Sequence, residues 1–198
     1  MNIALIGYRW SGKTTVSAEL AGRIGWPRVE TDRMVEECLG MSIAEAARRL
    51  GWGVFRSAEE AVIAAQLQRD RIVLDLGGGA VTDPATRARL RQGAWVVFLD
   101  CSEEVLLARG NGSYPRPALT ALSPREELRA KLEERRPLYL SCADLVVDAS
   151  RSPTECAAAI LEHMPAAGRG VARNDARNDA RAPVPGPAPL QLTEEAYR

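Results

Sequence analysis

The stretch Gly7-Tyr8-Arg9-Trp10-Ser11-Gly12-Lys13-Thr14-Thr15 constrains this chain more than any other. It fits G-x-x-x-x-G-K-[ST], the pattern of a phosphate-binding P-loop. An apolar run, Ile3-Ala4-Leu5-Ile6, precedes it, and a helical pattern, Val16-Ser17-Ala18-Glu19-Leu20-Ala21, follows. Such a loop works only between a strand and a helix. Glycines let the backbone curl until successive N–H groups point at one phosphate, and the helix start adds unpaired donors and the positive end of its dipole. Gly7, Ser11, Gly12 and Thr15 would line the nucleotide, with Trp10 placed to cover it. Lys13 would reach the β/γ-phosphates, and the Thr14 hydroxyl would take a place on Mg²⁺. The chain has only two lysines, Lys13 and Lys131; every other strongly basic side chain is Arg. A compact point charge at this position is not interchangeable with a planar fork. The reading is a protein that handles ATP or GTP.

Apolar strand-like runs alternate with helical ones along the rest of the chain. Strands are expected at 3–6, 28–30, 71–76, 94–99 and 145–147. Helices are expected at 13–24, 33–39, 43–50, 55–69, 84–91, 103–109, 124–136 and 154–163, with Ser102 capping one of them. Strands apolar on both faces and separated by helices predict an α/β protein: a three-layer α/β/α P-loop kinase fold with a central five-stranded parallel sheet. Such folds bind ligands beyond the carboxyl ends of the strands. The P-loop, Glu30-Thr31-Asp32 and Gly77-Gly78-Gly79 all fall at such ends. A kinase domain is expected over 1–164, with a mobile lid at about 110–123, where two prolines and two glycines break the periodicity. The repeat Ala-Arg-Asn-Asp at 172–179 and the Pro-rich run after it predict a disordered tail over 165–198.

Composition narrows the partners. The formal net charge is zero, so no global field favours nucleic acid or an anionic membrane. The four cysteines, Cys38, Cys101, Cys142 and Cys156, form no C-x-x-C pair, which argues against zinc and for a reducing, cytoplasmic setting. His163 is the one histidine, so histidine-based catalysis is not expected. No apolar run approaches membrane-spanning length, and no signal peptide is expected.

Further residues point to a phosphate acceptor. Asp32, after the second strand, can orient an acceptor hydroxyl and take its proton, or cap a helix. Arg56 and Glu59 share a helix face. The triple glycine lets a ligand approach the backbone. Arg116 and Arg135 supply cations for developing negative charge or for a carboxylate.

The strings GYRWSGKTT, ETD, FRSAE, LGGGAV, RPAL and RRPLYLSCADLVVD stand in the order and spacing of the shikimate kinases. The resemblance covers roughly residues 2–163. It implies ATP-dependent phosphorylation of the 3-hydroxyl of shikimate by a monomeric enzyme with Mg²⁺. It also implies roles for individual residues. Asp32 would act as base or orienting group. Arg56 and Arg135 would clamp the shikimate carboxylate, with Glu59 holding Arg56, and Gly78 would contact the substrate through its backbone. Arg116 would move onto the transferred phosphate, and Arg109 and Arg151 would lie against the adenine. Three positions depart from the family pattern, one of them Ala118 in Arg116-Pro117-Ala118-Leu119, where many members have Arg-Pro-Leu-Leu and the cation is kept. Trp10 stands where the family commonly has Gly, which costs strain if the site needs positive φ. Glu30 replaces the usual first carboxylate of a D-x-D pair and would meet the metal only through water. Two alternatives remain open: a kinase for another small polyol acid such as gluconate, and a non-catalytic nucleotide-binding paralogue acting as an interaction module through its tail.

Overall fold

Strand β1 (Asn2–Ile6) runs through the middle of the protein and is buried at every position. The computed structural model describes residues 1–110 and 123–166. The expected lid, apart from its ends, therefore lies outside the described residues, as do Arg116 and the tail from 167 onward. Five strands form one parallel sheet in the order β2-β3-β1-β4-β5, with β2 at Arg28–Glu30, β3 at Val73–Asp75, β4 at Ala94–Asp100 and β5 at Leu145–Asp148. Ala4 of β1 is in register with Leu74 of β3 and with Val96 of β4.

Side chains alternate across each strand, so both faces of the sheet must be covered. Ile3, Leu5, Val97 and Leu99 pack against Val16 and Leu20 of α1 (Lys13–Ile24) and Ala157 and Ile160 of α8 (Pro153–His163). On the other face Ala4, Ile6, Val96 and Phe98 meet Ile63 of α4 (Gly51–Leu67), Leu90 of α5 (Pro84–Gly93) and Tyr139 of α7 (Pro124–Cys142). A separate cluster of Val35, Leu39, Ala46, Phe55, Ala58 and Val62 binds α4 to α2 (Thr31–Leu39) and α3 (Ile43–Arg49), which fixes the acceptor side of the site. Beneath the P-loop, Tyr8 packs on Leu106 of α6 (Glu103–Gly110) and Leu128 of α7.

The elements expected from the sequence are present, with shifted ends. β3 is shorter than 71–76 because Arg71 sits at φ 57, in the left-handed region, and interrupts the extended backbone ahead of it. α7 does not stop at Arg136. It runs through Pro137 to Cys142. Proline removes one N–H from the helix, but both Pro137 and Glu133, whose carbonyl loses its partner, are exposed to water. Packing of Tyr139 and Cys142 against the sheet carries the helix past the break. Ser123 and Ser152 begin α7 and α8 with full capping boxes, closed by Glu126 and Glu155. The Ser102 hydroxyl accepts from Val105 N–H at 3.4 Å, as the cap reading requires.

At the amino end of the sheet, far from the P-loop, Asn2 is a buried polar hub. Its Nδ2 donates to the carbonyls of Arg69 (2.8 Å) and Gly93 (3.3 Å), and its Oδ1 accepts from Ile72 N–H (3.3 Å). Replacing it by an apolar residue orphans these backbone groups at a cost of about 1–3 kcal/mol each. Asn2→Leu is expected to lower unfolding free energy by about 3 kcal/mol in urea titrations while leaving substrate KM values unchanged.

Candidate active site

The first half of the site is the loop between β1 and α1. Gly7 and Gly12 adopt φ 150 and φ 89. A Cβ on Gly7 would stand 2.8 Å from the Leu99 carbonyl oxygen, so this position needs glycine for space as well as for conformation. Lys13 is buried, and its ammonium donates to the carbonyls of Gly7 and Tyr8, each at 2.9 Å, closing the loop on itself. Thr14 and Thr15 are exposed at the head of α1. Trp10 has φ 69, so the strain anticipated from its position is real, at roughly 1–3 kcal/mol. Its indole ring compensates by packing. The Arg9 guanidinium lies 4.5 Å from the ring centroid, and Gly110 abuts the ring so closely that a Cβ there would fall 2.9 Å from Cε3. Trp10 thus ties the P-loop to the end of α6.

Arg109 spans the loop and the end of β5. It donates to the Ser11 carbonyl at 3.3 Å and to the Ala149 carbonyl at 2.8 Å. Arg151 lies two residues further on, exposed, with only a loose 3.9 Å approach to Asp148. Of the two arginines expected near the adenine, Arg109 contacts the loop directly and Arg151 follows the Ala149 that it holds.

The second half gathers around Gly77-Gly78-Gly79, after β3. In the structure these glycines also make room for the protein's own groups. A Cβ on Gly77 would lie 2.5 Å from both an Asp32 carboxylate oxygen and a Glu59 carboxylate oxygen. One on Gly79 would overlap the Arg56 guanidinium, and one on Gly78 would press on the P-loop backbone, 3.1 Å from Arg9 N. Three polypeptide segments converge on one tripeptide. The Gly78 carbonyl accepts from Tyr139 Oη at 2.5 Å and from Arg135 Nη1 at 3.3 Å. Thr31, at the head of α2, accepts from Gly77 N–H and donates to the Asp75 carbonyl, each at 3.2 Å, and so sets Asp32 beside the glycines.

Arg56 and Glu59 form an ion pair whose carboxylate is 3% exposed, so this is no surface pair. Burial holds the Glu59 carboxyl above its ordinary range. Arg56 opposes that, the nearby Asp32 carboxylate adds to it, and Arg135 pulls it back down. Burial likewise raises the Tyr139 phenol, so it stays a neutral donor to Gly78. Two carboxylates and two guanidinium groups thus share one small volume beside the P-loop. Five buried side-chain atoms have no well-formed hydrogen bond among the described residues: Tyr8 Oη, Arg9 Nε, Ser11 Oγ, Glu59 Oε1 and Arg135 Nε. All five lie in the P-loop or on α4 and α7 beside it.

Glu30 ends β2 with its carboxylate on Arg28, whose other arm donates to the Thr14 carbonyl at 2.9 Å. The hydroxyl and carboxylate oxygens near the head of α1 suit a hard cation that keeps most of its shell as water and phosphate. No group of three side-chain ligands for a metal occurs among the described residues.

Sequence reasoning missed several contributors. Tyr139 stands four residues after Arg135 on the same helix face, a spacing that could have flagged it. Thr31 and the partnership of Arg9 with Glu127 left no local signal. No helix among the described residues is long and apolar enough to cross a membrane.

Comparison with known proteins agrees with this geometry. The family model described as "Shikimate kinase" matches residues 9–165. A shikimate kinase of Oleidesulfovibrio alaskensis is 41% identical over 170 residues, covering 84% of this chain and 98% of that protein. The solved shikimate kinase of Acinetobacter baumannii in complex with shikimate superposes with TM-score 0.77 at 33% identity, covering 81% of this chain and 90% of that one. A gluconokinase from Sinorhizobium meliloti shares only the fold, at 22% identity and TM-score 0.53. With the P-loop, the arginine pair and the triple glycine in place, and a family match that runs through nearly every described element, this chain belongs to the shikimate kinase family.

Proposed function

We propose that the chain transfers the γ-phosphoryl group of ATP to the 3-hydroxyl of shikimate, giving 3-phosphoshikimate on the route to chorismate and the aromatic amino acids. The observation that carries this reading is the meeting of Asp32, Arg56 and Arg135 around the triple glycine, in contact with the P-loop. Arg56 and Arg135 offer two planar forks to a carboxylate. Glu59 holds Arg56 to one side and leaves its remaining N–H groups for the substrate. Both lone pairs of the Gly78 carbonyl are engaged by Tyr139 and Arg135, so a backbone contact from Gly78 to the acceptor would come from its N–H. Asp32 would orient the acceptor hydroxyl and receive its proton as the oxygen attacks the γ-phosphorus, with ADP leaving in line.

On the donor side, the N–H groups of the loop at Gly12, Lys13 and Thr14 would cradle the phosphates. Lys13 would exchange its two carbonyl partners for phosphate oxygens. Thr14, and Glu30 through water, would hold Mg²⁺, which would supply positive charge to neutralise the phosphates. The Arg28 guanidinium competes for Glu30, so Glu30 is the weaker of the two holds. Arg109 and Arg151 would flank the adenine, and Arg116, outside the described residues, is the candidate cation for the transferred group. The resemblance to small monomeric kinases makes a monomer the expected state. Four free cysteines fit a cytoplasmic setting.

ADP release from the purified protein with ATP and Mg²⁺ tests the reading. Turnover is expected with shikimate and not with gluconate or without an acceptor; equal rates in all three reactions would overturn it. Asp32→Asn should lower kcat by about 10²–10⁴-fold, the usual worth of a general base, with ADP affinity by calorimetry nearly unchanged. Glu59→Gln frees Arg56 and should raise the KM for shikimate about tenfold, the loss of one charge-assisted bond, without moving the KM for ATP.

A further inference from the structure

Arg9 and Glu127 stand 118 positions apart and meet at 2.7 Å, with 15% and 3% of their side-chain surfaces exposed. A charge pair taken this far out of water gains little for stability unless its geometry is good, and breaking one side strands the other charge. The pair is part of a longer chain of contacts. Trp10 stacks on Arg9 and seats against Gly110. The Tyr8 ring has two guanidinium groups near it, Arg9 at 5.6 Å and Arg135 at 5.9 Å from its centroid. Glu127 and Arg135 are eight residues apart on α7, about 12 Å along the helix axis. Helix α7 therefore grips the P-loop at two heights: Glu127 through the Arg9 side chain, and Arg135 through the Tyr8 ring. The Arg9 backbone closes the circuit by resting against Gly78, whose carbonyl α7 also holds.

We propose that Arg9 and Glu127 are positioning residues for phosphoryl transfer, locking the curl of the P-loop onto α7 and so fixing the donor phosphate relative to the Arg56–Arg135 clamp. The proposal rests on the kinase reading above. Neither side chain needs to touch a substrate. The pair instead sets the gap between two ligands that bind on different segments. In-line transfer is sensitive to that gap, since a misplacement of about 1 Å can cost about 10²-fold in rate.

The test is steady-state kinetics with both substrates varied, on wild type, Arg9→Met, Arg9→Lys, Glu127→Gln and the Arg9→Met/Glu127→Gln double variant, well below each melting temperature. Arg9→Met and Glu127→Gln should each lower kcat at saturation by about tenfold or more, with both KM values within about threefold of wild type. The double variant should be no slower than the slower single one, because both changes break the same contact. Arg9→Lys, which keeps the charge, should recover part of the rate. A folded Arg9→Met or Glu127→Gln protein with wild-type kcat and only a lower melting temperature would reduce the pair to a structural brace and overturn the proposal. So would losses that multiply in the double variant. Should Arg9→Met fail to fold, Glu127→Gln and Arg9→Lys carry the same comparison. Shikimate-dependent turnover by wild type bears on the kinase reading alone, and only the ratio of variant to wild-type kcat bears on the pair.

Discussion

The carboxyl end of β1 is pinned on both sides, by β3 through Leu5 and Asp75 and by β4 through Ile6 and Phe98. Everything in the site is placed relative to that fixed point. The loop leaving it curls because Gly7 and Gly12 supply conformations an ordinary residue resists, and because Lys13 bonds back to the carbonyls at its start. A central buried strand is the stiffest element a small α/β domain has. Mounting the phosphate loop there gives its N–H groups a direction that does not depend on the surface helices. Strands β2 and β3, on one side of β1, end at the same edge, so Asp32 is brought to Gly77 and Gly78 to the loop without any long connection.

The acceptor side rests on the apolar cluster joining α2, α3 and α4, and its surface is lined by charge. Glu59, Asp32, Arg56 and Arg135 would repel or strand one another if any one were placed alone. Together they surround Glu59, which is buried and faces both guanidinium groups and the Asp32 carboxylate. Buried ion pairs are poor investments in stability compared with apolar packing, so their presence beside the P-loop is better explained by a ligand that needs fixed guanidinium forks. Trp10 presents a related trade: a left-handed backbone conformation that costs free energy is kept in place by a cation on its ring and a glycine beneath it.

Local sequence made much of this legible. The P-loop, the alternation of strand and helix and the clustering of motifs at strand ends are short-range signals, and helix α1 and strand β2 fall at the residues expected. The Arg56–Glu59 pair was visible as a three-residue spacing, though not its burial. What escaped was whatever depends on distant segments meeting. The triple glycine reads from sequence as room for a ligand, and only the fold reveals that Asp32, Glu59, Arg56 and the P-loop backbone crowd the same tripeptide. Arg9 looks like one more arginine in an arginine-rich chain until Glu127 is placed beside it. Pro137 looks like a helix end because propensity says so, and tertiary packing of Tyr139 overrides it.

The capping box at Ser123 has a consequence of its own. Ser123 and Glu126 satisfy each other's backbone groups within a single turn, so the start of α7 is decided by four consecutive residues. Whatever course the preceding twelve residues take, the phase of the helix is already set when it begins. Glu127, Arg135 and Tyr139 inherit that phase. The face that α7 turns to the P-loop is therefore set from within the helix and not by the chain that leads into it.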